Sequence, residues 1–216
     1  MEATRIIAIR HGETDWNTVN RIQGHIDIPL NATGQWQAQQ VAKALQDEPL
    51  HAIYSSDLAR ALDTARAISQ AHPQWTDRTP QTQTQLRERN FGLFEGKTWA
   101  EIETHWPEES ERWRKRDLNF APDGGENLLV FESRVKEVTQ AIASQHAGEQ
   151  IVLVAHGGVM DILYRLATGQ TLSAPRTWQL GNTAINRLLW SPEGMTLVGW
   201  SDVRHLEDGT LDEAHA

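Results

Sequence analysis

Two apolar runs set the strongest limit on how this chain can fold. TRIIAIR near the start and QIVLVA at residues 150–155 are rich in isoleucine and valine. Neither shows the alternation with polar residues that a half-solvated strand would have. Strands that read this way are buried on both faces, as in parallel sheets covered by helices on either side. The segments between supply such helices. Residues 33–47 place Ala38, Val41, Ala42 and Leu45 on one stripe. SSDLARALDTARAISQA places Leu58, Ala61, Leu62, Ala65 and Ile68 together, with Ser-Ser-Asp as an N-cap signal. Residues 126–146 align Leu128, Phe131, Val135, Val138 and Ile142, and GGVMDILYRLAT follows QIVLVA as a further helix.

HAIYS and TQTQLRE read as additional strands, the latter ending at Arg87–Glu88. TAINRLLW and MTLVGW pair around the turn SPEG. Residues 98–116 are helical but interrupted by Pro107, which predicts two short helices. The expected architecture is a three-layer α/β sandwich: a mostly parallel sheet with helices on both faces and a small helical flap. One domain is expected over residues 1–206, with the flap at about 90–125 and an acidic tail at 207–216.

Composition excludes several functions. The net charge of −9 disfavours a nucleic-acid partner. The absence of cysteine removes disulfides, thiolate metal sites and cysteine nucleophiles. No apolar stretch is long enough to span a bilayer, and the N-terminal run is too short for a signal peptide. A soluble cytoplasmic protein without a membrane partner is expected. A homodimer is compatible with the sequence, which does not fix the oligomeric state.

Polar residues of one kind collect at the strand ends. IIAI runs into Arg10-His11-Gly12, and IVLVA runs into His156-Gly157-Gly158. Ligands of open parallel sheets bind outside the carboxyl ends of the strands. Glycines there permit tight turns and close approach of backbone to an anion, and Gly157-Gly158 opens a helix whose N-terminus attracts negative charge. Arg60 follows HAIYS in the next helix, and Glu88 ends TQTQLRE. Two arginines, two histidines and a carboxylate thus converge from four strand ends, a constellation suited to phosphoryl transfer without a metal. Each residue taken singly has a plainer reading: a partly exposed strand-end histidine, a solvated helix arginine, a surface ion pair for Glu88. The repeated strand-histidine-glycine pattern favours the joint reading.

RHGETDWN resembles the signature of the histidine phosphatase superfamily, in its phosphoglycerate-mutase-like branch. SSDLARALDTA, LRERNFGLFEG, PDGGEN and VAHGG are similar to later blocks of that branch in the same order, so the resemblance spans Arg5 to about Leu206. It implies that His11 is the nucleophile and carries a phosphohistidine. It also implies that Arg10, Arg60 and His156 clamp the phosphoryl oxygens, and that Glu88 is the proton donor. Asn17, Gln23, Gly24 and Gly157 are expected to bind substrate. No metal and no cofactor are implied, and no spacing suggests metal ligands, His25 and His205 included. The partner is a small phosphorylated metabolite.

The same site could hydrolyse or isomerise. Three departures from the mutase pattern favour a phosphomonoester hydrolase over a 2,3-bisphosphoglycerate-dependent phosphoglycerate mutase. Phe91 stands where mutases carry tyrosine. Gly158 and Asp161 replace asparagine and arginine. The tail carries Glu207, Asp208, Asp212 and Glu213, a poor cover for an anionic substrate. Against this, Arg112, Arg114, Lys115 and Arg116 in the flap are enough to hold a second anion, although a solvated helix face is the plainer reading. A third reading, a catalytically silent phosphate-binding module, predicts a broken residue set, and this set is complete. Trp99, Trp106 and Trp113 recur every seven residues and are expected to pack the flap onto the body, whereas Trp16 and Phe91 are better placed to touch substrate.

Overall fold

The computed structural model describes residues 2–75 and 78–207. In chain order the elements are β1 (Thr4–Arg10), α1 (Asp15–Thr18), α2 (Ala32–Leu45), β2 (Ala52–Ser55), α3 (Ala59–Ala71), β3 (Gln81–Thr82), α4 (Trp99–His105), α5 (Pro107–Arg114), α6 (Leu128–Ala143), β4 (Gln150–Ala155), α7 (Gly157–Thr168), β5 (Ile185–Ser191) and β6 (Gly194–Asp202). The six strands form one sheet in the order β3-β2-β4-β1-β5-β6. The first four run parallel, and β5 and β6 are antiparallel additions at one side.

The unbroken apolar runs have a direct structural cause. Ile6, Ala8, Ile151 and Leu153 face one layer, packed with Phe131, Val135 and Ile142 of α6 and Val159 and Leu163 of α7. Ile7, Ile9, Val152 and Val154 face the other, with Val41 and Leu45 of α2 and Ala61, Ala65 and Ile68 of α3. Both faces of β1 and β4 are thus buried, and neither strand has a solvent side to mark with polar residues. The helix stripes read from the sequence are the stripes that pack, with Leu62 only half-buried.

Pro107 opens α5 at its first position, where a missing N–H costs nothing, and Trp106 closes α4 and starts α5. The two short helices have an apolar cluster of their own: Phe94, Ile102 and Phe120, with Phe91, Trp99, Trp106 and Trp113 packed against it.

Two local expectations are corrected. The helix after HAIYS begins at Ala59, not at Ser55. Ser55 belongs to β2, and Leu58 occupies the cap without a side-chain hydrogen bond. Asp57 is diverted to Arg87, which grips it with two hydrogen bonds of 2.7 and 2.5 Å. TQTQLRE is a two-residue strand followed by a 3-10 turn over Thr84–Leu86. Glu88 therefore lies on an irregular segment, and only three strand ends feed the site. Of the acidic tail, Asp208, Asp212 and Glu213 lie outside the described residues.

Candidate active site

Sheet register builds the centre of the site. Arg10 stands opposite Ala155 in the parallel β1–β4 pair, so the next residues, His11 and His156, leave the sheet side by side. Their ring centroids are 5.2 Å apart at 59°. Both imidazoles are buried. His11 Nδ1 lies 2.6 Å from the Gly12 carbonyl oxygen. A carbonyl only accepts, so Nδ1 carries the hydrogen and a neutral His11 keeps its lone pair on Nε2. Burial, then the charges of Arg60 and Arg10, hold His11 neutral well below the ordinary histidine range. Burial, with Arg60, His11 and Arg10, does the same to His156.

Arg60, the second residue of α3, is 1% exposed. Its Nη2 donates to the Gly24 carbonyl at 2.8 Å and its Nη1 to the Ile26 carbonyl at 2.9 Å. Gly24 thus acts on the site by holding Arg60 with its backbone. Arg10 Nη1 donates to the Leu180 carbonyl at 2.5 Å. Burial pushes Arg60 down to about 10, against the pull of Glu88, and lowers Arg10 as well. The Nε atoms of both arginines and both ring nitrogens of His156 are buried without a hydrogen-bond partner. Buried donors are normally satisfied. Charged guanidinium donors left open on two arginines of one cleft suit an oxyanion such as a phosphoryl group.

Glu88 is not in a surface ion pair. Its flanking arginines are committed elsewhere: Arg87 to Asp57, Arg89 to the carbonyls of Glu126 and Phe120. Its own carboxylate accepts from Arg89 N at 2.8 Å and from Gly158 N, in the first turn of α7, at 2.9 Å. A side chain at position 158 would collide with Glu88 Oε1, so glycine there is a steric requirement for this carboxylate pose. Gly12 is also confined, but by the backbone of Gly34 in α2 and not by an open anion site. Gly157 meets only Arg10, at ordinary contact distance.

Three residues that sequence reasoning missed fix the Glu88 segment. Arg134 of α6 donates to the carbonyls of Gln85, Arg87 and Glu88 at 2.6, 3.0 and 3.2 Å. It also forks onto Glu126 at 2.8 and 2.7 Å. His25 Nε2 sits 2.9 Å from the Glu88 carbonyl oxygen. The signal for Glu126 was its place within the PDGGEN block, and for Arg134 its place in the helix that follows, whereas His25 carried none.

Arg10, His11, Arg60 and Glu88 line a cleft of about 970 Å³ together with Asn17, Gln23, Gly24 and Gly157, whereas His156 is fully buried and does not line it. Asn17 is also the third residue of α1, where its Oδ1 accepts from Thr14 N at 3.0 Å in a capping box. Phe91 lines the cleft, but Trp16 does not and packs near Gly96 instead. Trp99, Trp106 and Trp113 pack into the flap's own apolar cluster, which Ile22 joins, where packing of the flap onto the body was expected, and Trp99 and Trp113 also face the cleft. The flap cations divide. Arg112 and Lys115 form exposed ion pairs with Asp117 and Glu111, whereas Arg114 and Arg116 reach the cleft. Among the described residues no group of three or more histidines or carboxylates could hold a metal ion. No described helix is long and apolar enough to cross a membrane.

The family model of the histidine phosphatase superfamily (branch 1) matches residues 6–203. The chain belongs to that superfamily. This histidine phosphatase relative is 37% identical to phosphoglycerate mutase-like protein 4 of Arabidopsis thaliana, over 96% of this chain and 89% of that one. It is 36% identical to a metal-independent phosphoserine phosphatase of Arabidopsis thaliana, over 95% and 84%. Among solved structures, Bacillus stearothermophilus YhfR superposes with a TM-score of 0.86 at 29% identity, covering 94% of this chain and all of that one. The two plant relatives of this histidine phosphatase divide by name between mutase and phosphatase.

Proposed function

We propose that the protein hydrolyses phosphomonoesters of small metabolites through a phosphohistidine on His11. The observation that carries this reading is the convergence on one cleft of a neutral imidazole at His11, the guanidiniums of Arg10 and Arg60 with their partnerless Nε donors, and the Glu88 carboxyl, with the unpartnered His156 ring buried beside His11. His11 Nε2 attacks phosphorus and the bond to the ester oxygen breaks. The arginines and His156 bind the phosphoryl oxygens, where negative charge is concentrated in the transition state. Glu88 gives its proton to the leaving alkoxide, then takes one from the water that attacks the phosphohistidine. The P–N bond breaks, its electrons return to Nε2, and phosphate departs. In this reading residues 1–206 work as one unit, with residues 90–125 as a flap over the cleft.

Hydrolysis is favoured over isomerisation by the α7 face of the cleft. A mutase must grip a second anionic group while the phosphohistidine waits. Position 158 holds no side chain because Glu88 occupies its space. Asp161 places a carboxylate where the mutase pattern has a cation. With 3-phosphoglycerate supplied, phosphate release is expected to exceed formation of 2-phosphoglycerate. Rapid approach to the isomer equilibrium with little free phosphate would establish a mutase.

The neutral histidines predict a pH dependence. Phosphoenzyme formation from p-nitrophenyl phosphate, followed by rapid quench, is expected to persist as pH falls below 6.5, the ordinary histidine value. A midpoint at 6.5 would show that His11 is not held neutral. Unfolding returns both rings to that value, so the unfolded chain binds more protons. Stability is full above about 6.5 and declines as pH falls toward the depressed folded values.

A further inference from the structure

The segment that carries His11 is pinned along its backbone. Each backbone N–H and C=O from His11 to Glu13 has a partner. His11 N donates to the Ala155 carbonyl at 2.9 Å, and the Glu13 carbonyl accepts from Asn31 N at 3.0 Å. Between them lie two peptide units, each held at both ends. The His11–Gly12 unit accepts from Asn182 Nδ2 at 2.8 Å and donates from Gly12 N to Thr64 Oγ1 at 3.1 Å. The Gly12–Glu13 unit donates from Glu13 N to Gln37 Oε1 at 2.8 Å, and its carbonyl takes the hydrogen of His11 Nδ1.

The three side chains reach this segment from three parts of the fold: Gln37 from α2, Thr64 from α3 and Asn182 from the loop before β5. Thr64 is buried, and its hydroxyl donates to the Arg60 carbonyl at 2.8 Å, which leaves a lone pair to face Gly12 N. It therefore ties the His11 segment to the backbone of Arg60. Gln37 reaches Glu13 because α2 comes close: a Cβ at Gly34 would collide with the Glu13 carbonyl oxygen. Thr183, next to Asn182, has a φ of 53°, in the left-handed region that a β-branched residue rarely adopts, and its N–H donates to the Arg10 carbonyl at 2.9 Å. Such strain persists where the surrounding structure over-determines it.

A peptide unit is planar, so turning one end turns the other. The Gly12 carbonyl that orients His11 is thus aimed by Gln37 through the Glu13 N–H, and the unit before it is aimed by Thr64 and Asn182. A histidine takes its tautomer from the hydrogen bond its ring makes. Released from the Gly12 carbonyl, the ring would carry its hydrogen on Nε2 in part of the molecules and lose the attacking lone pair there. We infer that Gln37, Thr64 and Asn182 are positioning residues that fix the direction and tautomer of His11 through the two peptide units flanking Gly12. The cleft lining includes none of the three, so they act through His11 and not on substrate. The inference rests on His11 as the nucleophile and adds what holds it ready.

Ring-nitrogen NMR of protein carrying isotope-labelled histidine tests this at the imidazole itself. The wild type is expected to show His11 with its hydrogen on Nδ1, the signals being assigned by their loss in His11→Ala. Gln37→Leu and Thr64→Val keep the bulk of the side chain but remove the acceptor, and each is expected to give a mixture of tautomers. Phosphoenzyme formation from p-nitrophenyl phosphate should fall about tenfold to a hundredfold in both, the scale of a misplacement of about 1 Å. KM should move by less than about threefold, since substrate binding is not what is lost. Thr64→Ser restores the hydroxyl and should return both tautomer and rate to the wild-type range. Gln37 is partly exposed on α2, so its variant carries the test if Thr64→Val does not fold. A single Nδ1–H tautomer retained in folded Gln37→Leu would overturn the inference, as would a defect in Thr64→Ser equal to that in Thr64→Val. A tautomer shift at His11 with phosphoryl label on another residue would sink the nucleophile reading alone.

Discussion

Replacing His11 with alanine is expected to abolish covalent labelling by a phosphomonoester and to lower turnover by roughly 10⁴-fold or more, as removal of a covalent nucleophile does elsewhere. The expectation rests on where the imidazole sits and on its state. The Gly12 carbonyl fixes the hydrogen on Nδ1, leaving Nε2 as the attacking atom. Burial beside Arg60 and Arg10 keeps the ring neutral. His156 is equally neutral and 5.2 Å away, so it is the one rival for the role. It differs in that neither of its nitrogens is oriented by a protein partner. Acid-labile, alkali-stable label on wild type and His156→Ala, but not on His11→Ala, is the predicted pattern. Label retained on His11→Ala and lost from His156→Ala would exchange the two roles. Native circular dichroism of both variants separates chemistry from misfolding.

The sheet was legible because burial on two faces leaves a one-dimensional trace. Ile6 to Ile9 and Ile151 to Val154 are apolar without alternation since each side chain meets a helix layer. The strand-end histidines were legible for a related reason: they interrupt such runs at the edge where ligands bind. Glu88 was read at a strand end, and so on the wrong element, while its role as proton donor came from the resemblance. What holds it is long-range, since Arg134 lies 46 residues further along the chain and Gly158 lies 70. No local pattern encodes such contacts. The Ser-Ser-Asp cap failed likewise, because Asp57 found a stronger partner in Arg87, 30 residues away, than any backbone N–H of its own helix.

Glu88→Gln is expected to separate protonation from nucleophilic attack. An alkyl alcohol leaves as a strongly basic alkoxide unless protonated, whereas p-nitrophenolate leaves readily unaided. Removing a general acid commonly costs about 10²–10⁴-fold where the proton matters. The variant should therefore be crippled on alkyl phosphates. From p-nitrophenyl phosphate it should still form the phosphohistidine, visible as a burst of nitrophenol near one equivalent. Turnover after the burst should be slow, because the same residue activates the hydrolytic water. Glutamine is a demanding replacement: the N–H groups of Arg89 and Gly158 bond different oxygens of the carboxylate, at 2.8 and 2.9 Å, so the amide keeps an acceptor for one of them and turns its NH2 toward the other. The segment clasped by Arg134 should stay in place, so lost activity reports the proton and not the fold. Equal loss of phosphoenzyme formation from both substrate types would show that Glu88 is not the acid. Its carboxylate would then serve to balance the charge of Arg10 and Arg60, both of which it stabilises in their cationic form, and Glu13, the next carboxylate acting on Arg10, would become the candidate donor.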